Sequence, residues 1–229
     1  MPPSTLMPSL LQRLAWVPLR LLFLLFGRLS IRGLEHVHAL SGPAVFASNH
    51  VSEIDPLLLV AALPPTSPRL PLIFVSREKG FYSVNWRRVI YGGRFFRMMG
   101  AYPAQVGIQN YEKALATHLS MLRGGTSVSI FPMGGIRPRN GVPLKARGGV
   151  AYLAHATGCP VVPVRIEGAE EMRCRDFFTR RRHMRVTFGP PLYAQDFVEN
   201  PHVTETENGF EDAAVLLMQK VVSLSSGSV

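Results

Sequence analysis

Apolar positions along this chain fall into short continuous runs separated by amphipathic stretches, the pattern of strands buried on both faces alternating with helices. Residues 44–47, 72–75, 127–131, 160–166 and 184–188 read as strands, and residues 31–34 as a shorter one at a sheet edge. Pro56 followed by residues 57–62 reads as a helix with proline in its first turn. Residues 110–123 place Tyr111, Leu115, Leu119 and Leu122 on one stripe and end at Gly124-Gly125, an amphipathic helix with its stop signal. Residues 77–99 have helical bias after a cap at Ser76, residues 150–156 form a helix closed by Gly158, and residues 210–224 a terminal helix. The expected class is therefore α/β, a mostly parallel central sheet flanked by helices.

The amino-terminal segment stands apart. Residues 14–26 are apolar except for Pro18 and Arg20, and as a helix they reach about 20 Å, short of a hydrocarbon core of about 30 Å. Arg13 and Arg20 are seven apart and share one helical face, while Leu10, Leu14, Trp16 and residues 21–25 cover much of the remainder. The expectation is an amphipathic helix over residues 1–28 that lies in the lipid interface with its arginines among headgroups. A signal peptide and a helix packed into the protein's own core are the competing readings; no small-x-small cleavage site follows Phe26. Residues 29–229 are long enough for a single domain with a full core.

Charge adds a partner class. A formal net charge of +10 rests on arginine, since Lys79, Lys113, Lys145 and Lys220 are the only lysines. A basic, 47% hydrophobic chain fits an anionic surface. The aromatics are scattered and no nucleic-acid module is present, so a membrane is expected and nucleic acid is not. Arg173, Arg175, Arg180, Arg181, Arg182 and Arg185 form a basic run suited to lipid headgroups, to an acidic carrier protein, or to nothing but water. Cys159 and Cys174 lie singly and suggest neither a disulfide framework nor a metal site.

Candidate chemistry begins at the run Asn49-His50-Val51-Ser52-Glu53-Ile54-Asp55-Pro56, on the loop between a strand and a helix. Four intervening residues allow the Asp55 carboxylate to fold back on one imidazole nitrogen of His50, leaving the other to take a proton from a hydroxyl. An N-cap aspartate with a turn-satisfying histidine is the alternative. A second constellation, Phe131-Pro132-Met133-Gly134-Gly135-Ile136-Arg137, follows a buried strand, where ligands of open α/β sheets collect. Gly134 and Gly135 permit close backbone approach, and Arg137, Arg139, Lys145 and Arg147 gather positive charge near the next helix start, a place suited to a phosphate.

These blocks resemble the lysophospholipid and glycerol-phosphate acyltransferase family. The Asn49–Pro56 block is similar to its catalytic block, Phe131-Pro132-Met133-Gly134-Gly135 to its phenylalanine-proline-glutamate-glycine block, and Lys145 with Gly148 and residues 160–164 to its later blocks, over residues 31–190 in all. Two departures stand out. Met133 occupies the place of a glutamate that helps hold the acceptor, and Gln105 or Val106 that of an arginine that grips its phosphate. Losing two charge-assisted contacts weakens a lysophosphatidate-type acceptor by at least about two orders of magnitude, unless Arg137, Arg139 or Lys145 compensates.

The resemblance implies an O-acyltransferase that moves an acyl group from a thioester, on coenzyme A or acyl carrier protein as co-substrate, to a hydroxyl of a lysophospholipid such as 1-acylglycerol-3-phosphate or of an altered lipid acceptor. His50 and Asp55 would be catalytic. Asn49, Ser52, Gly134, Gly135, Arg137, Arg139 and Lys145 would bind substrate, with Ser52 equally suited to capping its turn. Neither a cofactor nor a metal is expected, and the location implied is the cytoplasmic face of a membrane, peripheral or monotopic. A lipid-binding relative without turnover is the second reading.

Overall fold

Strand β2 (Val45–Ser48) is buried along its whole length and lies in the middle of a seven-stranded sheet. In this computed structural model, which describes residues 3–76, 94–105, 110–136, 146–197 and 207–224, the chain opens with α1 (Leu6–Leu25), β1 (Ser30–Arg32), α2 (Leu34–His38), β2, α3 (Asp55–Ala62) and β3 (Ile73–Ser76). It continues with α4 (Arg94–Met98), β4 (Ala101–Pro103), α5 (Tyr111–Ala114), α6 (Ala116–Arg123), β5 (Val128–Ile130), α7 (Gly149–Thr157), β6 (Val161–Glu167), α8 (Cys174–Phe178), β7 (Arg185–Phe188) and α9 (Glu207–Ser223). The strand order is β1-β7-β6-β2-β5-β3-β4. Neighbours are parallel except β6 and β7, so the expected mostly parallel α/β class is the observed one.

The period-two alternation of a strand sorts the core into two layers. On β2, Phe46 faces a cluster that includes Leu58, Leu59, Leu63, Val164 and Phe188, whereas Val45 and Ala47 face one that includes Leu119, Leu122, Leu153, Val161 and Leu217. Helices α1 and α3 therefore cover one face of the sheet, and α6, α7 and α9 the other. With both faces covered, β2 and β6 show continuous apolar runs rather than an apolar-polar alternation, whereas β5 buries Ser129 between Val128 and Ile130.

Local details depart from the sequence pattern for steric reasons. The edge strand expected over residues 31–34 stops at Arg32, because Gly33 adopts a left-handed conformation (φ +73°) and a side chain there would lie 1.9 Å from the Phe188 carbonyl oxygen. The helix expected over residues 110–123 is capped by Asn110, whose side chain accepts from the Lys113 N–H, but breaks at Leu115 into α5 and α6. Most of the expected helical stretch 77–99 lies outside the described residues, with α4 at its end.

Helix α1 is longer than its apolar run suggested, 20 residues, and reverses the expected orientation. Length and composition would permit it to cross a membrane. Its polar side chains, however, turn toward the protein. Arg13 donates to the carbonyls of Pro65, Ser67 and Leu70, Trp16 to that of Leu63 (2.6 Å), and Arg20 to that of Ala61 (3.0 Å). Gln12, fully buried, exchanges hydrogen bonds with both backbone groups of Leu72 at 2.8 Å. The arginines thus satisfy carbonyls at the end of α3 and in the turn after it, where a helix terminus leaves acceptors unpaired. They do not lie among headgroups. Leu10, Leu14, Val17 and Leu21 are left on the outer face, Leu14 with 65% of its surface exposed.

His118, on α6, is fully buried with its Nε2 3.2 Å from the Tyr102 carbonyl oxygen. Burial outweighs that hydrogen bond and lowers its pKa to about 4, against about 6.5 in an unfolded chain. The unfolded state consequently takes up the proton first. Its contribution is whole above about pH 6.5 and lost as pH falls toward 4. Denaturant titrations at pH 7.5 and 4.5 should show this group costing the wild type roughly 2 kcal/mol. His118→Leu should lose less stability over that interval; an unchanged pH slope would remove His118 as its source.

Candidate active site

The site forms where β2 and β5 end side by side, next to β6, which runs on past both. Ala47 registers with both Ile130 and Pro163, so the loops leaving β2 and β5 emerge together at their carboxyl ends, flanked by the last residues of β6. The first carries residues 49–54 into α3, which opens at Asp55 with Pro56 in its first turn. Asp55 is fully buried, and one of its oxygens gathers the loop around itself. Its Oδ2 accepts from the backbone N–H of Val51 at 2.7 Å and of Ser52 at 3.0 Å, and lies 2.8 Å from His50 Nδ1. An oxygen already accepting two backbone protons is a carboxylate acceptor, so the imidazole contributes Nδ1–H. Neutral His50 then carries its lone pair on Nε2, the tautomer of a general base.

The ring is held from a second direction. Phe131, the residue after β5, stacks on His50 with ring centroids 4.2 Å apart and planes at 20°. The His50 side chain remains 20% exposed, so it is both positioned and reachable. Beside it lies a cleft of about 270 Å³ lined by Val51, Ser52, Ile136, Glu170, Glu171 and Met172. Phe131 escaped the sequence reading as a positioning group. No local signal marked it, because the β2–β5 pairing that brings the residue just beyond β5 alongside the His50 loop is decided by the fold.

Among the expected substrate-binding residues, Asn49 has a different occupation. Its side-chain amide donates to the Ile166 carbonyl oxygen and its oxygen accepts from the Ile166 N–H, both at 2.8 Å. The carboxamide therefore acts as one more rung between β2 and β6, and holds the His50 loop rather than presenting itself to a ligand. Ser52 supplies a backbone N–H to Asp55 and lines the cleft. Gly134 takes a left-handed turn (φ +70°) over the side chain of Arg147, which would lie 3.4 Å from a β-carbon there. Gly135 follows in the same loop. Arg137, Arg139 and Lys145 lie outside the described residues. Met133 packs against the core cluster of α6, α7 and α9, so no polar group at this position faces the cleft. Among the described residues no group of three or more His, Cys, Asp or Glu is gathered as a metal site would require.

A buried carboxylate fixing an imidazole, beside the paired loops of β2 and β5, is where the comparison with known proteins bears. The family model described as Acyltransferase matches residues 28–167, from the end of α1 through β6, and includes both blocks. The chain belongs to this acyltransferase family. The crystal structure of the 1-acyl-sn-glycerophosphate (LPA) acyltransferase, PlsC, from Thermotoga maritima is similar to it in fold, with a TM-score of 0.57 at 17% identity over 94% of this chain and 82% of that one. The comparison with curated proteins found no match.

The acyltransferase's Asn49 rung and His50 base make separable predictions. Asn49→Ala leaves the N–H and C=O of Ile166 without partners and should cost about 1–3 kcal/mol in a urea titration. His50→Ala removes the hydrogen bond to Asp55 and the stack on Phe131 from a partly exposed ring, but leaves Asp55 Oδ2 its two backbone donors, and should cost less. Equal stability of Asn49→Ala and wild type would show that the rung contributes nothing.

Proposed function

We propose that this acyltransferase works at a membrane surface, transferring a fatty acyl group from a thioester of coenzyme A or acyl carrier protein to a hydroxyl of a lysophospholipid. The observation carrying the reading is the His50–Asp55 pair, on the loop whose next residues, Val51 and Ser52, line the cleft. In this mechanism Nε2 takes the acceptor proton as the hydroxyl oxygen attacks the thioester carbonyl carbon. The tetrahedral intermediate then collapses with cleavage of the carbon–sulfur bond, and the imidazolium returns the proton to the departing thiolate. Asp55 holds the tautomer and stabilises the transient imidazolium. No covalent acyl-enzyme is required, since a thiolate is a good leaving group.

A glycerophospholipid acceptor is supported by the family and by the fold shared with PlsC. The packing of Met133 into the core argues for an acceptor held differently from lysophosphatidate, with Arg137, Arg139 and Lys145 as the candidates for its phosphate. The outer face of α1 supports the membrane location. Leu10, Leu14, Val17, Leu21, Leu24 and Leu25 are all substantially exposed, and covering each with lipid contributes on the order of 1 kcal/mol.

Thiol release measured across lysophosphatidate, glycerol phosphate and other lysolipids tests the reading. His50→Ala should lower turnover by about 10²–10⁴-fold, and Asp55→Asn by a comparable factor through the wrong tautomer. Full activity in both variants would refute the mechanism. Lipid binding without thiol release across the panel would instead favour a non-catalytic relative.

A further inference from the structure

A second surface adjoins the lipid-facing side of α1 and has no part in the site. Phe178, the last residue of α8, keeps 57% of its surface exposed. Its ring packs edge-on against Phe26, just past the end of α1, at 5.3 Å, and against Phe177 at the same distance. Phe177 is buried and reaches Phe23 and Phe26 at 6.2 and 5.9 Å. Gly27 makes this junction tight, because a β-carbon there would meet Met184 Sδ at 2.8 Å and the Phe177 ring at 3.4 Å. The exposed ring therefore sits at the carboxyl end of α1, whose last residues Leu24 and Leu25 are themselves exposed. Around it the segment exposes Arg173, Arg175, Arg180 and Arg181, with Arg182 half-buried and Arg28 exposed at the end of α1. Asp176 is the one carboxylate between residues 173 and 185. Arg185, by contrast, turns into the sheet toward Glu167 at 3.8 Å.

We propose that residues 173–182 form a docking surface for an anionic phospholipid bilayer, with Phe178 at the acyl boundary and the arginines on headgroup phosphates. Together with α1 it gives the chain a two-part footprint that sets its orientation on the membrane. The inference rests on the membrane-surface reading above for its biological sense, and on the residues alone for its physics. The exposed ring at the end of an apolar helix decides the occupant: an acidic protein surface would satisfy the arginines, but it would leave that ring and the exposed leucines of α1 uncovered.

The test is co-sedimentation of the full chain with phosphatidylcholine vesicles with and without about 30% phosphatidylglycerol. Each arginine near such a surface contributes about fivefold in partitioning. Arg180→Gln, Arg181→Gln and Arg182→Gln together should lower binding to the anionic vesicles about 100-fold and leave binding to neutral vesicles, through α1, nearly unchanged. Phe178→Ser should weaken both about equally, and raised salt should reduce only the anionic increment. Undiminished binding of the triple variant to anionic vesicles would overturn the proposal. So would a triple substitution that weakens only the chain's affinity for soluble acyl carrier protein. No thioester or acceptor is present, so a chain inactive in acyl transfer still returns a clear result.

Discussion

A carboxylate with no access to water needs donors, and at Asp55 they are concentrated on Oδ2, while Oδ1 is buried without a hydrogen-bond partner. Three N–H groups converge on one oxygen, two from the loop backbone and one from the imidazole. The backbone pair fixes the shape of residues 49–54. The imidazole contact fixes the tautomer. Loop geometry and base chemistry thus share one cause, which is why a five-residue spacing serves both. Asn49 adds a restraint from the other side by joining the loop to β6, and Phe131 limits the tilt of the ring.

These restraints depend on two parallel strands, β2 and β5, ending at one level beside β6, which runs on to Glu167. The register of β2 with β5 and β6 brings together blocks separated in sequence by about eighty and more than a hundred residues. Each loop supplies a different part: the base and its carboxylate after β2, the ring platform and glycine turn after β5, and a rim of the cleft after β6. Burial on both faces keeps those strands straight carriers of their loops, since core side chains packed to either side leave little room for a shift of register.

Helix α1 shows how an amphipathic pattern can be assigned its two sides the wrong way round. Arginine on a helix beside a membrane ordinarily suggests headgroups. Here Trp16 and Arg20 meet backbone carbonyls at the end of α3, and Arg13 meets those of the turn after it, so the chain itself supplies their acceptors. The consequence is an apolar exterior without a charged stripe along its length. Positive charge is displaced to the junction of α1 with α8, where Phe178 and the arginine run lie together.

Much of this was legible along the chain, and the reason is local. Continuous apolar runs specify buried strands whatever their neighbours, Pro56 after Asp55 marks a helix start, and the spacing of His50 and Asp55 lies within the reach of one loop. What tertiary structure alone decided were the matters that depend on a partner distant in sequence. Asn49 finds Ile166, Phe131 finds His50, Gly33 yields to Phe188, and the arginines of α1 find carbonyls at the end of α3 and in the turn after it. A residue's type states which interactions it can make; only the packed fold determines which of them are within reach.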